Sequence, residues 1–339
     1  MDATAIADST VTVVIVNYRT PLLAIDCLAS LLPEKRRLPK LRAVVVDGGS
    51  GGDSADQISA AVSGQDYAGW ASALPLAING GFGWANNQAI LKLAQEAQPP
   101  DYVYLLNPDA QVVEGAVAAL IEELRRHPEC GAVGSLVLRP NRSPAASAFR
   151  FPSPGRELAG GADSEKIGKL LGIAATVVAP GRSSAVDWVS GASVMFRADA
   201  LRSSGLFDDG FFLYFEEVEL LHRLTRHGWT VRHVPDSKVI HIEGASTGMG
   251  SSAPTLPPYW FDSRERYFGL TGGRAVLAAA NIGRFIGRAI RTAKDLGRFS
   301  RRQSDRPDVR RGSWPQRVNA SFPRWGDAPG EPPAWMAER

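Results

Sequence analysis

The sequence predicts a doubly wound α/β fold. Three features carry that expectation: unbroken apolar runs of strand length, helical apolar spacing between them, and polar or glycine-rich turns at their ends. A strand covered on both faces reads as a continuous apolar run rather than an alternating one. Strand and helix patterns in alternation argue for a mostly parallel sheet with crossover helices.

In order along the chain, VTVVIV (11–16) is the first such strand and ends at Asn17-Tyr18. Leu22, Ile25, Leu28 and Leu32 then recur at helical spacing, with Pro21 suited to a first helical position. Residues 41–46 form a second buried strand, followed by the turn DGGSGGD (47–53) and a helix over 56–62. A short strand is expected over 74–78, then a loop, NGGFGWANN (79–87), and a helix over 88–97 that Pro99-Pro100 stops. Residues 102–106 are a strand ending in Asn107-Pro108-Asp109, 113–127 a helix, and 132–138 a strand. The segment 141–184 is rich in Pro, Gly and Ser and reads as an irregular insertion with a hairpin. Residues 186–196 read as a strand pair interrupted at Gly191-Ala192, and 230–233 and 238–241 as short strands around Pro235. A flexible loop over 244–258 leads into helical segments at 261–270 and 275–299, and the last forty residues carry the composition of a poorly ordered tail.

The chain has 339 residues, 44% hydrophobic and 22% charged, which suits a soluble globular protein with a sizeable core. Its two cysteines, Cys27 and Cys130, give neither a disulfide framework nor metal-ligand spacing, which fits a reducing, cytoplasmic setting. The apolar run at 11–16 is too short for a signal sequence or a span. Charge is uneven: residues 284–311 hold ten Lys or Arg and three Asp, a net of +7, against −4 for the remainder. Apolar residues alternate with arginines from 274 onward, which excludes a transmembrane helix and fits a basic amphipathic helix on an anionic membrane surface, or else one docked on the body. Nucleic-acid binding is not expected, because the body is acidic and the basic tail has few aromatics.

The densest chemistry lies in FDDGFFLYFEEVELLHR (207–223), an aromatic run that enters a helix with Glu216 and Glu217 in its first turn. The helix dipole there favours negative charge, so Glu217 is expected to stay ionised, either as a general base or only as a complement to the dipole. Glu219 is spaced to pair with Arg223. Asp47 could face a nucleotide or cap the next helix; the residues after the first strand do not form GxGxxG, which disfavours a dinucleotide site. Asp109 suits either a divalent cation touching a diphosphate or a Pro-Asp turn. His241 could complete that metal shell or be a satisfied core histidine, and Trp84 and Trp188 could wall a sugar pocket or pack in the core.

Taken together, VTVVIVNYRT, VVVDGGSGGD, NGGFGWANNQAI, YVYLLNPDA, VSGASVMFRADAL, GLFDDGFFLYFEEVELLHRL and VPDSKVIHIEGAS resemble the family 2 glycosyltransferases of the GT-A fold, in family order over roughly residues 11–246. The likeness is to bacterial rhamnosyltransferases that build cell-envelope polysaccharides. It implies a GT-A domain over 1–265, with a nucleotide-binding half at about 11–140 and an acceptor half at about 185–250. A basic helical extension over 266–311 and a disordered tail over 312–339 would follow.

The resemblance also implies an inverting transfer from a nucleotide-diphosphate sugar, dTDP-L-rhamnose favoured, to a saccharide or polyprenyl-diphosphate-linked acceptor. The enzyme would sit on the cytoplasmic face of the inner membrane. Glu217 matches the catalytic base, with Glu216 and Glu219 as supporting acids. Asp109 and His241 match the ligands of a divalent cation, Mg²⁺ or Mn²⁺. Asn17, Tyr18, Asp47, Asn79, Gly83, Asn86, Asn87, Asn107, Gly191 and Ala192 match positions around the nucleotide sugar. Two residues depart from the family's pattern: Glu217 replaces its usual aspartate, and Gly48 follows Asp47 where a polar residue is common. A UDP- or GDP-linked donor, or a catalytically silent binding protein on the same fold, are the alternatives.

Overall fold

The structure is a computed structural model that describes residues 6–173, 176–177, 181–242, 256–297 and 322–331. Its centre is a nine-stranded sheet, in spatial order β3-β2-β1-β4-β10-β6-β11-β5, with β8 beside β11. The first half comprises β1 (Val11–Asn17), β2 (Leu41–Asp47), β3 (Ala71–Pro75) and β4 (Tyr102–Leu106), all parallel. The second half is mixed. β5 (Ala110–Val112), β6 (Cys130–Leu138), β8 (Ser184–Val186), β10 (Ser193–Arg197) and β11 (Thr230–His241) form it, with β10 antiparallel between β4 and β6. A separate two-stranded ribbon pairs β7 (Ala148–Phe149) with β9 (Trp188–Val189).

Helices cover both faces. Val11, Val13 and Ile15 of β1 pack with α1 (Pro21–Ala29), α2 (Leu32–Arg37), α3 (Ser54–Val62) and α5 (Ala116–Arg126). Val14 faces the other way, against α4 (Phe82–Ala94), α8 (Ala198–Ser204) and α9 (Glu216–Arg226). The strict period of two along a strand thus feeds two cores, which is why the β1 run is apolar throughout. α6 (Pro154–Gly161) and α7 (Glu165–Leu170) lead back to the sheet, and α10 (Pro258–Gly297) closes the described body. α10 is two helices joined at Gly273, whose φ of 69° breaks the helical path.

Several expected elements shift. The third strand is 71–75 rather than 74–78; Pro75, which lacks an N–H, ends it. α4 begins at Phe82, six residues before the expected start, so most of the expected loop is its first two turns. The 141–184 segment is not irregular throughout: Ser153 and Ser164 cap α6 and α7 by accepting the N–H of Arg156 and Ile167. The strands expected on either side of Pro235 are one strand, β11, with a register shift against β6 between Val234 and Lys238. Residue 265, the expected domain boundary, falls inside α10. Within the expected disordered tail, residues 322–331 are placed on the body: Leu206 donates its N–H to the Pro323 carbonyl, and Trp325 packs on the α4/α9 core. The expected loop over 244–258 lies mostly outside the described residues, as do residues 298–311 of the basic segment.

Candidate active site

The carboxyl ends of β1 and β4, with the turns that follow them, open into a cavity of about 580 Å³. Ligands collect at such strand ends in open α/β sheets. Asn17, Tyr18 and Gly48 form one wall, Asn79, Gly81 and Phe82 another, and Asn107 and Asp109 the floor beside His241. Gly191, Ala192, Glu216 and Glu217 close the far side. Residues separated by two hundred positions in sequence thereby meet in one site.

Asn17 is fixed from behind. Its amide donates to Asp47 Oδ2 at 2.8 Å, and the same oxygen accepts from Ser54 Oγ at 2.7 Å. Asp47 Oδ1 accepts the Ser50 N–H at 2.9 Å. Burial pushes the Asp47 carboxyl up, but the bonds from Ser54, Ser50 and Asn17 outweigh it and hold it below the ordinary range. Asp47 therefore holds the Asn17–Tyr18 turn and does not line the cavity, contrary to the expected nucleotide contact.

Asp109 and His241 are brought together by the antiparallel pairing of β5 with the end of β11, which sets His241 opposite Ala110. His241 Nε2 lies 2.9 Å from Asp109 Oδ1 and 3.3 Å from the Asn107 amide nitrogen. Two ligands at right angles, each about 2.1 Å from an octahedral cation, stand about 3 Å apart. The observed pair has that separation, which is also that of a hydrogen bond; a carboxylate suits Mg²⁺ or Mn²⁺, and an imidazole favours a transition metal such as Mn²⁺ over Mg²⁺. Among the described residues no cluster of three or more His, Cys, Asp or Glu side chains could hold a metal. The pair alone would therefore need oxygens from a bound diphosphate or water, which is how Mg²⁺ is usually held.

α9 delivers the acids. Tyr214 and Phe215, at φ of 69° and 66°, are consecutive non-glycine residues in the left-handed region, a costly turn that starts the helix abruptly. α10 braces it: Tyr259 stacks on Tyr214 at 6.1 Å between ring centres, and Trp260 meets Phe215 edge-on at 5.4 Å. Ser263 Oγ donates to the Leu213 carbonyl at 2.9 Å. Glu219 pairs as expected with Arg223, Oε1 to Nε at 3.0 Å and Oε2 to Nη2 at 2.8 Å, and this buried pair points away from the cavity.

Glu217 stays ionised at neutral pH as expected, but the helix dipole does not lower its titration. Burial pushes its carboxyl up to about 6, and the N–H groups of Glu217 and Val218 pull it back only partly. Glu216 is pushed well above the carboxylate range, by burial first and the Glu217 charge second. Desolvation in this deep wall outweighs the dipole, whose effect is of the order of 1 kcal/mol. Oε2 of both acids is buried without a hydrogen-bond partner among the described residues. A Cβ on Gly191 would lie 3.4 Å from Glu217 Cγ, so this glycine leaves the space beside the carboxylate open.

Five more expected residues, besides Asp47 and Glu219, lie off the cavity. Because α4 starts at Phe82, its turn directs Phe82 and Ala85 inward and Gly83, Trp84, Asn86 and Asn87 elsewhere. Gly83 packs on Phe207, and Asn87 binds the Phe207 backbone and donates to Asp209. Trp188 stacks on Phe149 at 4.1 Å, in the β7–β9 ribbon. The aromatic wall is instead Tyr18, Phe82, Phe212, Tyr214 and Tyr259. Phe212 and Tyr214 belong to the aromatic run visible in sequence; Tyr259 comes from a distant helix with no local signal.

This three-layer body, with a cavity at the ends of its parallel strands, has the GT-A glycosyltransferase fold. It superposes on a GalNAc-T7 structure with UDP, GalNAc and Mn²⁺ at a TM-score of 0.53 and 15% identity, covering 86% of this chain and 58% of that one. The mannosyltransferase PcManGT from Pyrobaculum calidifontis, in complex with GDP-Man and Mn²⁺, gives a TM-score of 0.53 and 14% identity over 87% and 77% of the two chains. Residues 12–154 match the family described as Glycosyl transferase family 2, and residues 163–275 match Glycosyl transferase family group 2. These two stretches make up most of the chain, which belongs to the family 2 glycosyltransferases. Among characterised proteins it is similar to the N-acetylglucosaminyl-diphospho-decaprenol L-rhamnosyltransferase of Mycobacterium tuberculosis, 33% identical over 187 residues, 52% of this chain and 60% of that protein. It is 29% identical over 173 residues to the rhamnosyltransferase WbbL of Escherichia coli, 48% of this chain and again 60% of that protein. The matches thus span less than two thirds of either relative.

Proposed function

We propose that the protein transfers a sugar, L-rhamnose from dTDP-L-rhamnose, to a saccharide on a polyprenyl diphosphate, with inversion at the anomeric carbon. The observation that carries the reading is one cavity with an Asp109–His241 pair on its floor and Glu217 in its far wall. The rhamnosyltransferases it resembles supply the choice of sugar, and the M. tuberculosis relative the class of acceptor.

In this reading Asn17, Tyr18 and Asn79 hold the nucleotide end of the donor, and the aromatic wall packs on apolar sugar faces. Asp109 and His241 would hold a divalent cation, which when bound neutralises the diphosphate leaving group. Glu217 takes the proton of the acceptor hydroxyl on its carboxylate while the acceptor oxygen attacks the anomeric carbon opposite the diphosphate. The C–O bond to the acceptor forms as the bond to the diphosphate breaks. Burial and then the Glu217 charge push Glu216 toward its neutral form, which eases the repulsion between the two acids. A carboxyl with its pKa near 6 is better matched to proton transfer at neutral pH than an ordinary glutamate.

Full-length protein with dTDP-L-rhamnose, Mg²⁺ or Mn²⁺ and a polyprenyl-diphosphate N-acetylglucosamine should yield a disaccharide-lipid by mass spectrometry. Transfer from a UDP- or GDP-linked sugar instead would overturn the donor assignment. Donor binding with no transfer and no donor hydrolysis would favour a silent binding protein.

A further inference from the structure

We infer that the outer face of the second half of α10 is a docking surface for an anionic lipid bilayer. The helix has two opposed faces. Leu277, Ala280, Gly283 and Gly287 are buried, and the two glycines let α10 lie against the α6 backbone. A Cβ on Gly283 would come within 2.6 Å of the Pro154 carbonyl oxygen. Glu157 of α6 ties both halves of α10 down, meeting Arg264 at 2.9 Å and Arg284 at 3.5 Å. At about 100° per residue, Ala275, Ala279, Ile282, Ile286 and Ala289 share the opposite face, with Phe285 at its edge. That face is open: Ile282 is 59% exposed, Phe285 75% and Ile286 44%. Isolated exposed leucines are ordinary, but three large apolar side chains within five residues of one helix face are not.

Charge selects the occupant. Arg274 lies beside this open face, whereas Arg291 is turned to the docked side near Asp163 and Asp295; by sequence 284–311 carries a net of +7. A second copy meeting the same face would set these cations against each other. A bilayer with acidic headgroups takes the apolar stripe into its interface and the guanidinium groups at its surface. No helix among the described residues is long and apolar enough to cross a membrane, so this is contact with one leaflet. The membrane face that the sequence suggests is therefore narrowed, because Leu277 and Arg284 belong to the inner, docked side. The inference deepens the lipid-linked acceptor reading, since surface docking would bring the cavity to a membrane-bound substrate.

Flotation of the full-length protein with acceptor-free vesicles separates this inference from that reading. Protein should rise with phosphatidylglycerol-containing vesicles, far less with pure phosphatidylcholine, and less in high salt. The triple variant I282S/F285S/I286S, at exposed positions that leave the fold intact, should partition at least tenfold more weakly. Equal flotation of the variant, or none by the wild type, would overturn the proposal. Light scattering that gives a dimer for the wild type and a monomer for the variant would assign the face to self-association and overturn it equally.

Discussion

The guanidinium carbon of Arg223 lies 4.0 Å from the ring centre of Phe322. Arg223 also grips Glu219 and donates to the carbonyls of Ser204 and Leu206. The C-terminal segment is thereby attached to the back of the helix that presents Glu216 and Glu217. A buried arginine over a ring is worth about 1–2 kcal/mol. Phe322→Ala should therefore lower stability by that amount in urea denaturation. Arg223→Met leaves Glu219 a buried, unpaired acid and should cost about 3–5 kcal/mol. Equal effects of the two substitutions would show that Arg223 acts only through Phe322.

Glu217→Gln should keep donor binding, measured by calorimetry, and reduce transfer by roughly 10²–10⁴-fold, the usual worth of a positioned base. The substitution preserves shape and removes only the proton acceptor. Near-normal turnover would remove Glu217 from the mechanism.

A base with its pKa near 6 fixes the sign of the pH response. The rate should rise as pH increases through about 6, where Glu217 loses its proton, and level off above it. Stability runs the other way. Glu217 is raised from 4.5 to about 6 by burial, so its contribution is fully present below pH 4.5 and lost as pH rises through 6. That loss is about 2 kcal/mol. Melting curves from pH 4.5 to 7.5 should show a smaller decline in Glu217→Gln than in the wild type.

Why some of the molecule is legible in its sequence and some is not follows from the range of the forces involved. The β1, β2, β4 and β6 strands read directly because covering both faces demands unbroken apolar runs. The Glu219–Arg223 pair reads from spacing alone, since i and i+4 meet on any helix. Glu217 is visible in sequence but its raised pKa is not: the dipole is local, whereas the desolvation that raises it comes from walls folded in from remote segments. Trp84 falls off the cavity because α4 starts six residues earlier than its apolar spacing suggests, and each residue of shift turns a helical side chain by about 100°. Tyr259 is invisible, because only tertiary packing carries α10 to the rim.

The Asp109–His241 pair predicts a metal-linked affinity. Asp109→Asn keeps the size but removes the charge, and His241→Ala removes the imidazole. Each should weaken Mn²⁺-dependent donor binding by tenfold or more in titration calorimetry, while metal-free nucleotide binding changes little. Loss of binding with and without metal alike would make the pair a structural contact of the cavity floor.

Gly81 sets how the aromatic loop meets α4. Its φ of 87° lies in the region that favours glycine, and an added Cβ would overlap the Phe212 carbonyl oxygen, which accepts the Phe82 N–H at 3.1 Å. Gly81→Ala must either strain that turn, at about 1–3 kcal/mol, or push the 207–215 loop away from the helix. The loop leads straight into the strained Tyr214-Phe215 turn and the two acids. A purely local strain would lower the melting temperature and leave kcat unchanged. Displacement of the loop would lower kcat as well, because Glu217 would lose its alignment, while Asn17 and Tyr18, on the wall formed with Gly48, would keep nucleotide affinity near normal. The second outcome is expected, since Phe212 contacts Tyr259, and the loop moves only with the α10 residues that brace it.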